Sequence, residues 1–319
     1  MIELRHASKR YGVTEALRDV SITAPDGCVL GLLGVNGAGK TTALNLMTGY
    51  FPPNEGQVLV DGKDMLENPR DCKRSIGYLP EVPPLYDEMT VQEFLSFAAR
   101  LREVKGSSIP GHVRDIARLC GLDDVFARPV GKLSKGYRQR VGFASALCGD
   151  PPTLIFDEPT VGLDPRQVVE IRELIRTLGK THSIIFSSHI LSEVQQLCTR
   201  VVILHRGRVV REGTMGELAD ERELTLRLRA AAPASRLVPA LKGLACVRRV
   251  RVTAGGEAST ECVLSCEPNP DPARGDAQTQ IFRLLCAMDA PILRLAQEGD
   301  SLEDAFLRLT RGEEEGETP

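Results

Sequence analysis

The apolar positions of this chain fall into short runs separated by longer stretches of helical repeat. Residues 28–34 form an almost unbroken apolar run, the mark of a strand buried on both faces, and a glycine-rich turn and a helix starting near Lys40 follow it. Residues 57–60, ahead of Asp61 and Gly62, read as a strand entering a tight turn. From Thr90 to about Cys148 the pattern becomes helical. Thr90 is placed to cap a helix with Glu93 as its capping-box partner, and Phe94, Leu95, Phe97, Ala98 and Leu101 supply the apolar face. Residues 106–111, rich in glycine, serine and proline, read as a loop. Short apolar runs return at 153–156 and 183–186, with a helix from Pro165 to about Leu178 between them. This is the βαβ rhythm of a parallel sheet covered by helices. Residues 201–204 and 208–211, around Arg206 and Gly207, read as a hairpin.

The character changes after about Gly216. Residues 223–229 alternate strictly and read as a half-exposed strand. A helix at 234–241, an alternating strand at 247–252, a loop at 254–256 and a strand near 262–265 follow. Beyond a proline-rich loop at 268–272, residues 277–288 read as a helix, 292–295 as a strand and 302–309 as a last short helix. The order βαββαβ predicts a split-βαβ, ferredoxin-like unit. The expected organisation is a domain over 1–216 with a helical part at about 85–148, a small α+β domain over 217–311, and an acidic, disordered tail over 312–319.

Composition narrows the chemistry. The 319 residues are 42% hydrophobic, enough for a substantial core, and the net charge of −3 lacks the basic bias of a nucleic-acid partner. The nine cysteines are an odd number with no Cys-x-x-Cys pair. Cys262 and Cys266 share one strand without a histidine pair nearby, so thiols in a reducing compartment are expected rather than a metal site. The first residues carry acid and base and make no secretory signal. No stretch reaches the ~18 consecutive apolar residues of a membrane helix. Work at a membrane would therefore need a span from another polypeptide.

Two motifs carry the chemistry. Gly34, Val35, Asn36, Gly37, Ala38, Gly39, Lys40 and Thr41 fit the phosphate-binding loop G-x-x-x-x-G-K-[ST]. Glycines let several N–H groups turn toward one anion, and the following helix brings its positive end there. Lys40 adds a charge for the β- and γ-phosphates, and the Thr41 hydroxyl can ligate Mg²⁺. The second motif is the apolar run at 153–156 ending in Asp157 and Glu158. Asp157 is placed to hold Mg²⁺ as a Walker-B carboxylate, and Glu158 to polarise an attacking water.

Further motifs give a resemblance. Leu133, Ser134, Lys135, Gly136 and Tyr137 resemble the Leu-Ser-Gly-Gly-Gln signature of ABC ATPases. Residues 156–165 are similar to that family's Walker-B and D-loop run, and Ser187, Ser188 and His189 to its switch histidine. Tyr11 stands where the family places an aromatic on adenine. The resemblance spans residues 1 to about 215 and implies an α/β fold: a P-loop NTPase cassette with a helical subdomain, followed by the small α+β domain. It implies an ATPase with Glu158, His189 and Lys40 catalytic. ATP would be contacted by Tyr11, the loop from Gly34 to Thr41, Thr42, and Ser134 and Gly136 of a partner copy. Mg²⁺ would be held by Thr41, Glu81 and Asp157.

The sequence departs from the family pattern at Lys135 and Tyr137, where Gly and Gln are usual, and at Glu81, where the Q-loop has Gln. A carboxylate at Glu81 binds a hard cation more strongly than an amide would. Residues 76–81 resemble the variant found in ATPases that pair with ABC-2-type permeases, and residues 301–310 resemble the C-terminal ending of gliding-motility, drug-resistance and polysaccharide-export types. The implied partners are a second copy or homologous ATPase, head-to-tail, and a membrane permease. The permease would dock near residues 81–89 and the helical segment 90–128. The implied place is the cytoplasmic face of the cell membrane, and the implied direction is export. The rival readings are an ABC ATPase acting on ribosomes or nucleic acid, and a module that holds ATP without hydrolysing it; an intact Glu158 and His189 argue against the latter.

Overall fold

The computed structural model describes residues 1–215, 217, 224–256, 258–267 and 275–298. The proline-rich loop at 268–272, the helix expected at 302–309, the motif at 301–310 and the acidic end lie outside them. The chain divides into two compact units, Met1–Met215 and Gly216–Pro319.

The first unit opens with a hairpin for which the apolar pattern gave no sign: β1 (Ile2–Tyr11) pairs antiparallel with β2 (Thr14–Ala24). Register shifts between Leu4 and Ala7, Ala7 and Lys9, and Lys9 and Arg10 break the two-residue alternation, so the strands carry no clean pattern. β3 (Val29–Leu33) is buried throughout and leads into α1 (Lys40–Met47). β4 (Glu55–Val60) and β5 (Lys63–Asp64) complete a four-stranded sheet in the order β2-β1-β4-β5. Ala43, Leu44, Leu46 and Met47 of α1 share one buried cluster with Ile2 and Leu4 of β1, Val58 of β4 and Leu30 of β3. That packing fixes the helix whose first residue is Lys40.

After α2 (Pro69–Arg74) and β6 (Ile76–Leu79) the chain is helical, through α3 (Val91–Leu101), α4 (Ile109–Leu119) and α5 (Lys135–Leu147). The capping box of Thr90 with Glu93 is formed at the start of α3. The loop expected at 106–111 is shorter than that, because α4 takes Ile109, Pro110 and Gly111 into its first turn. Proline is tolerated there, where its missing N–H has no helical partner.

β7 (Thr153–Phe156), α6 (Pro165–Leu178), β8 (Ser183–Ser188), α7 (Leu191–Leu197), β9 (Arg200–His205) and β10 (Arg208–Thr214) close the unit. The second sheet has the order β10-β9-β3-β8-β7-β6. All its neighbours are parallel except β9 and β10. β7, β8 and β3 are successive neighbours, so the residues that follow them emerge at the same carboxyl edge, where open α/β sheets bind ligands.

The second unit is β11 (Leu224–Ala230), α8 (Ala234–Lys242), β12 (Val247–Gly255), β13 (Thr260–Cys266), α9 (Ala277–Ala287) and β14 (Ile292–Glu298). β12 runs through Ala254 and Gly255, which the sequence placed in a loop. The sheet order is β12-β13-β11-β14 with every pair antiparallel, the split-βαβ arrangement. Leu237 and Leu241 of α8 and Ile281 and Leu285 of α9 pack on Leu226, Leu228 and Leu264 of the sheet. No helix among the described residues is long and apolar enough to cross a membrane, and no cluster of metal-ligating side chains occurs among them.

Candidate functional site

The turn after β3 wraps around the Lys40 side chain. The Lys40 ammonium is buried and donates to the Gly34 carbonyl at 2.7 Å and the Val35 carbonyl at 3.3 Å. Gly39 sits at φ 105°, and a Cβ there would stand 2.8 Å from the Ala16 carbonyl, so only glycine fits between the loop and β2. At Gly34 a Cβ would stand 2.7 Å from the Leu204 carbonyl. The Ala38 N–H donates to the Val35 carbonyl, and the Ala38 carbonyl accepts from Gly207. The loop is thus held by β2 on one side and the β9–β10 turn on the other.

Asp157 and Glu158 follow the end of β7, and both are buried. Asp157 is fully buried. Burial pushes its carboxyl up from the usual carboxylate range, against hydrogen bonds from the hydroxyls of Ser187 and Thr41. The Ser187 hydroxyl donates to Asp157 Oδ1 at 2.6 Å and accepts from the Glu158 N–H at 2.9 Å, so one residue at the end of β8 ties both acids. Glu158 has φ 46°, a left-handed conformation that costs a non-glycine residue about 1 kcal/mol or more. This aims its side chain into the cleft. Glu158 Oε2 lies 2.9 Å from His189 Nδ1, and Oε1 lies 3.1 Å from Lys40 Nζ. Glu158 Oε1 is buried, and the Lys40 ammonium is its charged neighbour.

These groups face a cleft of about 590 Å³. Of the residues singled out by sequence, Tyr11, Asn36, Gly37, Gly39, Lys40, Thr41, Thr42, Glu81, Glu158 and His189 line it. Tyr11 is 43% exposed at the mouth, edge-on to Phe51 with ring centroids 6.0 Å apart. Gly34, Val35 and Ala38 belong to the loop and Asp157 follows β7, but none of the four lines the cleft. Ser134 and Gly136 are not brought there. Ser134 caps α5, accepting from the Tyr137 N–H at 3.4 Å, and buried Gly136 lines a separate cleft with Tyr137, Arg140 and Gln167.

Sequence reasoning missed several residues. Thr14, Glu15 and Ala16 of β2 and Arg206 and Gly207 of the β9–β10 turn line the cleft. They belong to no motif and reach it only through sheet pairing. Also missed is Glu193 of α7, which is buried and accepts from the hydroxyls of Thr160 and Ser188 at 2.9 Å each. It ties the segment after Glu158 to the end of β8. The doublet Ser187-Ser188 was the visible signal for both hydroxyl links.

Comparison with known proteins agrees with this geometry. The ABC transporter family model matches residues 17–161. The chain is 41% identical to the ABC transporter ATP-binding protein NatA of Bacillus subtilis over 226 residues, which are 69% of this chain and 92% of NatA. It is 35% identical to the Nod factor export ATP-binding protein I of Sinorhizobium fredii over 317 residues, which are 97% of this chain and 85% of that one. Among solved structures, an ATP-binding subunit of an ABC transporter superposes with a TM-score of 0.63 at 31% identity, covering 68% of this chain and 91% of that one. A dimeric bacterial ABC transporter cassette superposes with a TM-score of 0.62 at 25% identity, covering 67% of this chain and 99% of that one. The phosphate loop, the paired acids after β7 and the histidine after β8 thus lie in a P-loop ATPase cassette, and the chain belongs to the ABC transporter ATP-binding protein family, whose members couple ATP hydrolysis to transport.

Proposed function

We propose that this chain is the ATP-hydrolysing subunit of an exporter, working with a separate ABC-2-type membrane permease. The observation that carries the hydrolytic part is Glu158, a buried carboxylate lining the cleft of the phosphate loop, with Oε1 3.1 Å from Lys40 Nζ and Oε2 2.9 Å from His189 Nδ1. A water donating to this carboxylate would be held and polarised next to bound phosphate, which is the work of a general base. His189, through its 2.9 Å contact, steadies the carboxylate. Lys40 faces both the base and the phosphate positions. Ser134 and Gly136, outside the cleft, act on ATP held by a second copy arranged head-to-tail. Relatives named for bacitracin transport and Nod factor export support export as the direction.

The residues fit Mg²⁺. Thr41, Glu81 and Asp157 offer hard oxygen donors, and the Thr41 hydroxyl lies near enough to the Asp157 carboxylate to help hold down its pKa. Held by these oxygens, the ion would supply positive charge against that developing on the transferred phosphate. Asp157→Asn tests this. The amide can still accept from Ser187 but removes a buried charge. Because burial raises the Asp157 pKa in the fold, its ionised form costs stability above the unfolded carboxylate pKa. The variant is therefore expected to unfold at a higher temperature near neutral pH. The gain should vanish as pH falls below the carboxylate range, and Mg²⁺-dependent hydrolysis should be lost. A lower midpoint at neutral pH would show that the charged form is the stabilising one.

Beside the expected segments 81–89 and 90–128, we propose that the permease contact extends to a second cleft of about 490 Å³ at the end of α3, lined by Tyr50, Arg70, Arg74, Leu101, Arg102 and others. Tyr50 and Leu101 line it and are 69% and 67% exposed. Leu101→Glu is expected to leave hydrolysis by the purified chain intact and to prevent co-purification with the permease. The pull-down itself tests the function: recovery of ribosomes and no membrane protein would refute the transport reading.

A further inference from the structure

The two described helices of the C-terminal unit, α8 and α9, pack on one face of its sheet, and the register fixes which described residues stand on the other. Leu226, Leu228, Cys262, Leu264 and Cys266 are buried on the helix side, so the alternate positions stand on the open side. There Arg251, Val263 and Arg227 form one row across β12, β13 and β11. Glu261, Arg229 and Arg294 form the next, and Arg249 stands beside Ser265 and Thr225 in the third, which Glu298 closes by register. Arg229, Arg249, Arg251 and Arg294 are exposed, while Arg227 is half-buried with Glu261 at 3.7 Å. Among the described residues, five arginines therefore share this face with Glu261, in a chain whose net charge is −3. Arg229 is directly opposite Arg294 in the β11–β14 register. Like charges in that relation destabilise a sheet, and an anion laid across them would lessen the penalty.

We infer that this face docks on anionic phospholipid headgroups, giving the chain a hold on the membrane surface that does not depend on the permease. The chemistry favours lipid over nucleic acid. Single strands are held by aromatic side chains on which bases stack, and no aromatic residue occurs at the described open-face positions. Guanidinium groups spread over one face instead suit a surface of phosphates, to which each is attracted within a Debye length.

The test is flotation of the full chain with vesicles of phosphatidylcholine alone or with one third phosphatidylglycerol. The chain should float with the anionic vesicles, remain behind with the neutral ones, and be released by high salt. The double substitution Arg229→Ser with Arg294→Ser should weaken binding about fivefold for each arginine removed, while ATP binding by the cassette stays unchanged. Replacing both by lysine should preserve binding, which separates a charge effect from damage to the sheet. Equal flotation with both vesicle types, or with neither, overturns the proposal. So does tighter binding to a single-stranded oligonucleotide than to anionic vesicles. Flotation that appears only after residues 312–319 are removed would assign the face to the chain's own acidic end and also overturn it.

Discussion

Glu158→Gln is expected to lower ATP turnover by about 10²- to 10⁴-fold while leaving ATP bound at least as tightly. The amide matches the carboxylate in size, so the turn at φ 46° and the N–H bond to Ser187 should persist. What is lost is the charge. A neutral amide does not accept a proton from water, so hydrolysis stalls with the nucleotide in place. The same change frees Lys40, whose ammonium now lies 3.1 Å from the carboxylate, to interact with phosphate alone. Phosphate release measured beside the affinity of a fluorescent ATP analogue separates the two effects. Unchanged turnover would remove Glu158 from the role of base. A parallel loss of binding and turnover would make it a structural partner of Lys40 instead.

Much of this site was legible because its parts are contiguous in sequence. The loop before α1 and the acids after β7 each carry their chemistry within a few residues, and each follows a buried strand whose apolar run is easily read. The hairpin β1–β2 was not legible, since its register shifts scatter the inward residues Ile2, Leu4 and Ala7 off a fixed alternation. With it went Thr14, Glu15 and Ala16, which enter the cleft only because β2 passes beside Gly39 and Gly207. Arg206 was visible as a turn, and nothing in that turn shows that β9 pairs with β3 and so carries it to the phosphate loop. The arginine face of the second unit is a similar case. Alternation marks each strand as half-exposed, but the collection of five arginines on one side depends on the order β12-β13-β11-β14. Local pattern reveals elements and motifs, whereas juxtaposition across a sheet belongs to the topology.

Lys40→Ala and Ser134→Arg should each be inactive alone and should recover activity when mixed. Lys40→Ala removes the buried ammonium that faces the phosphate positions and leaves Glu158 without its cationic neighbour. Ser134→Arg acts elsewhere. Ser134 is exposed at the start of α5, so the substitution costs only a helix cap, about 1 kcal/mol, and does not touch the chain's own cleft. If each ATP lies between the phosphate loop of one copy and the α5 start of the other, a mixed pair has one site with both defects and one with neither. Equal mixing makes half of all pairs mixed, so recovery should approach about a quarter of the wild-type rate for independent sites in a two-fold pair. Coupling between the sites lowers that figure without abolishing it. A Ser134→Arg chain that hydrolyses ATP normally by itself would place the whole site in one copy. Two inactive variants that never complement, at any ratio, would separate Ser134 from the chemistry altogether.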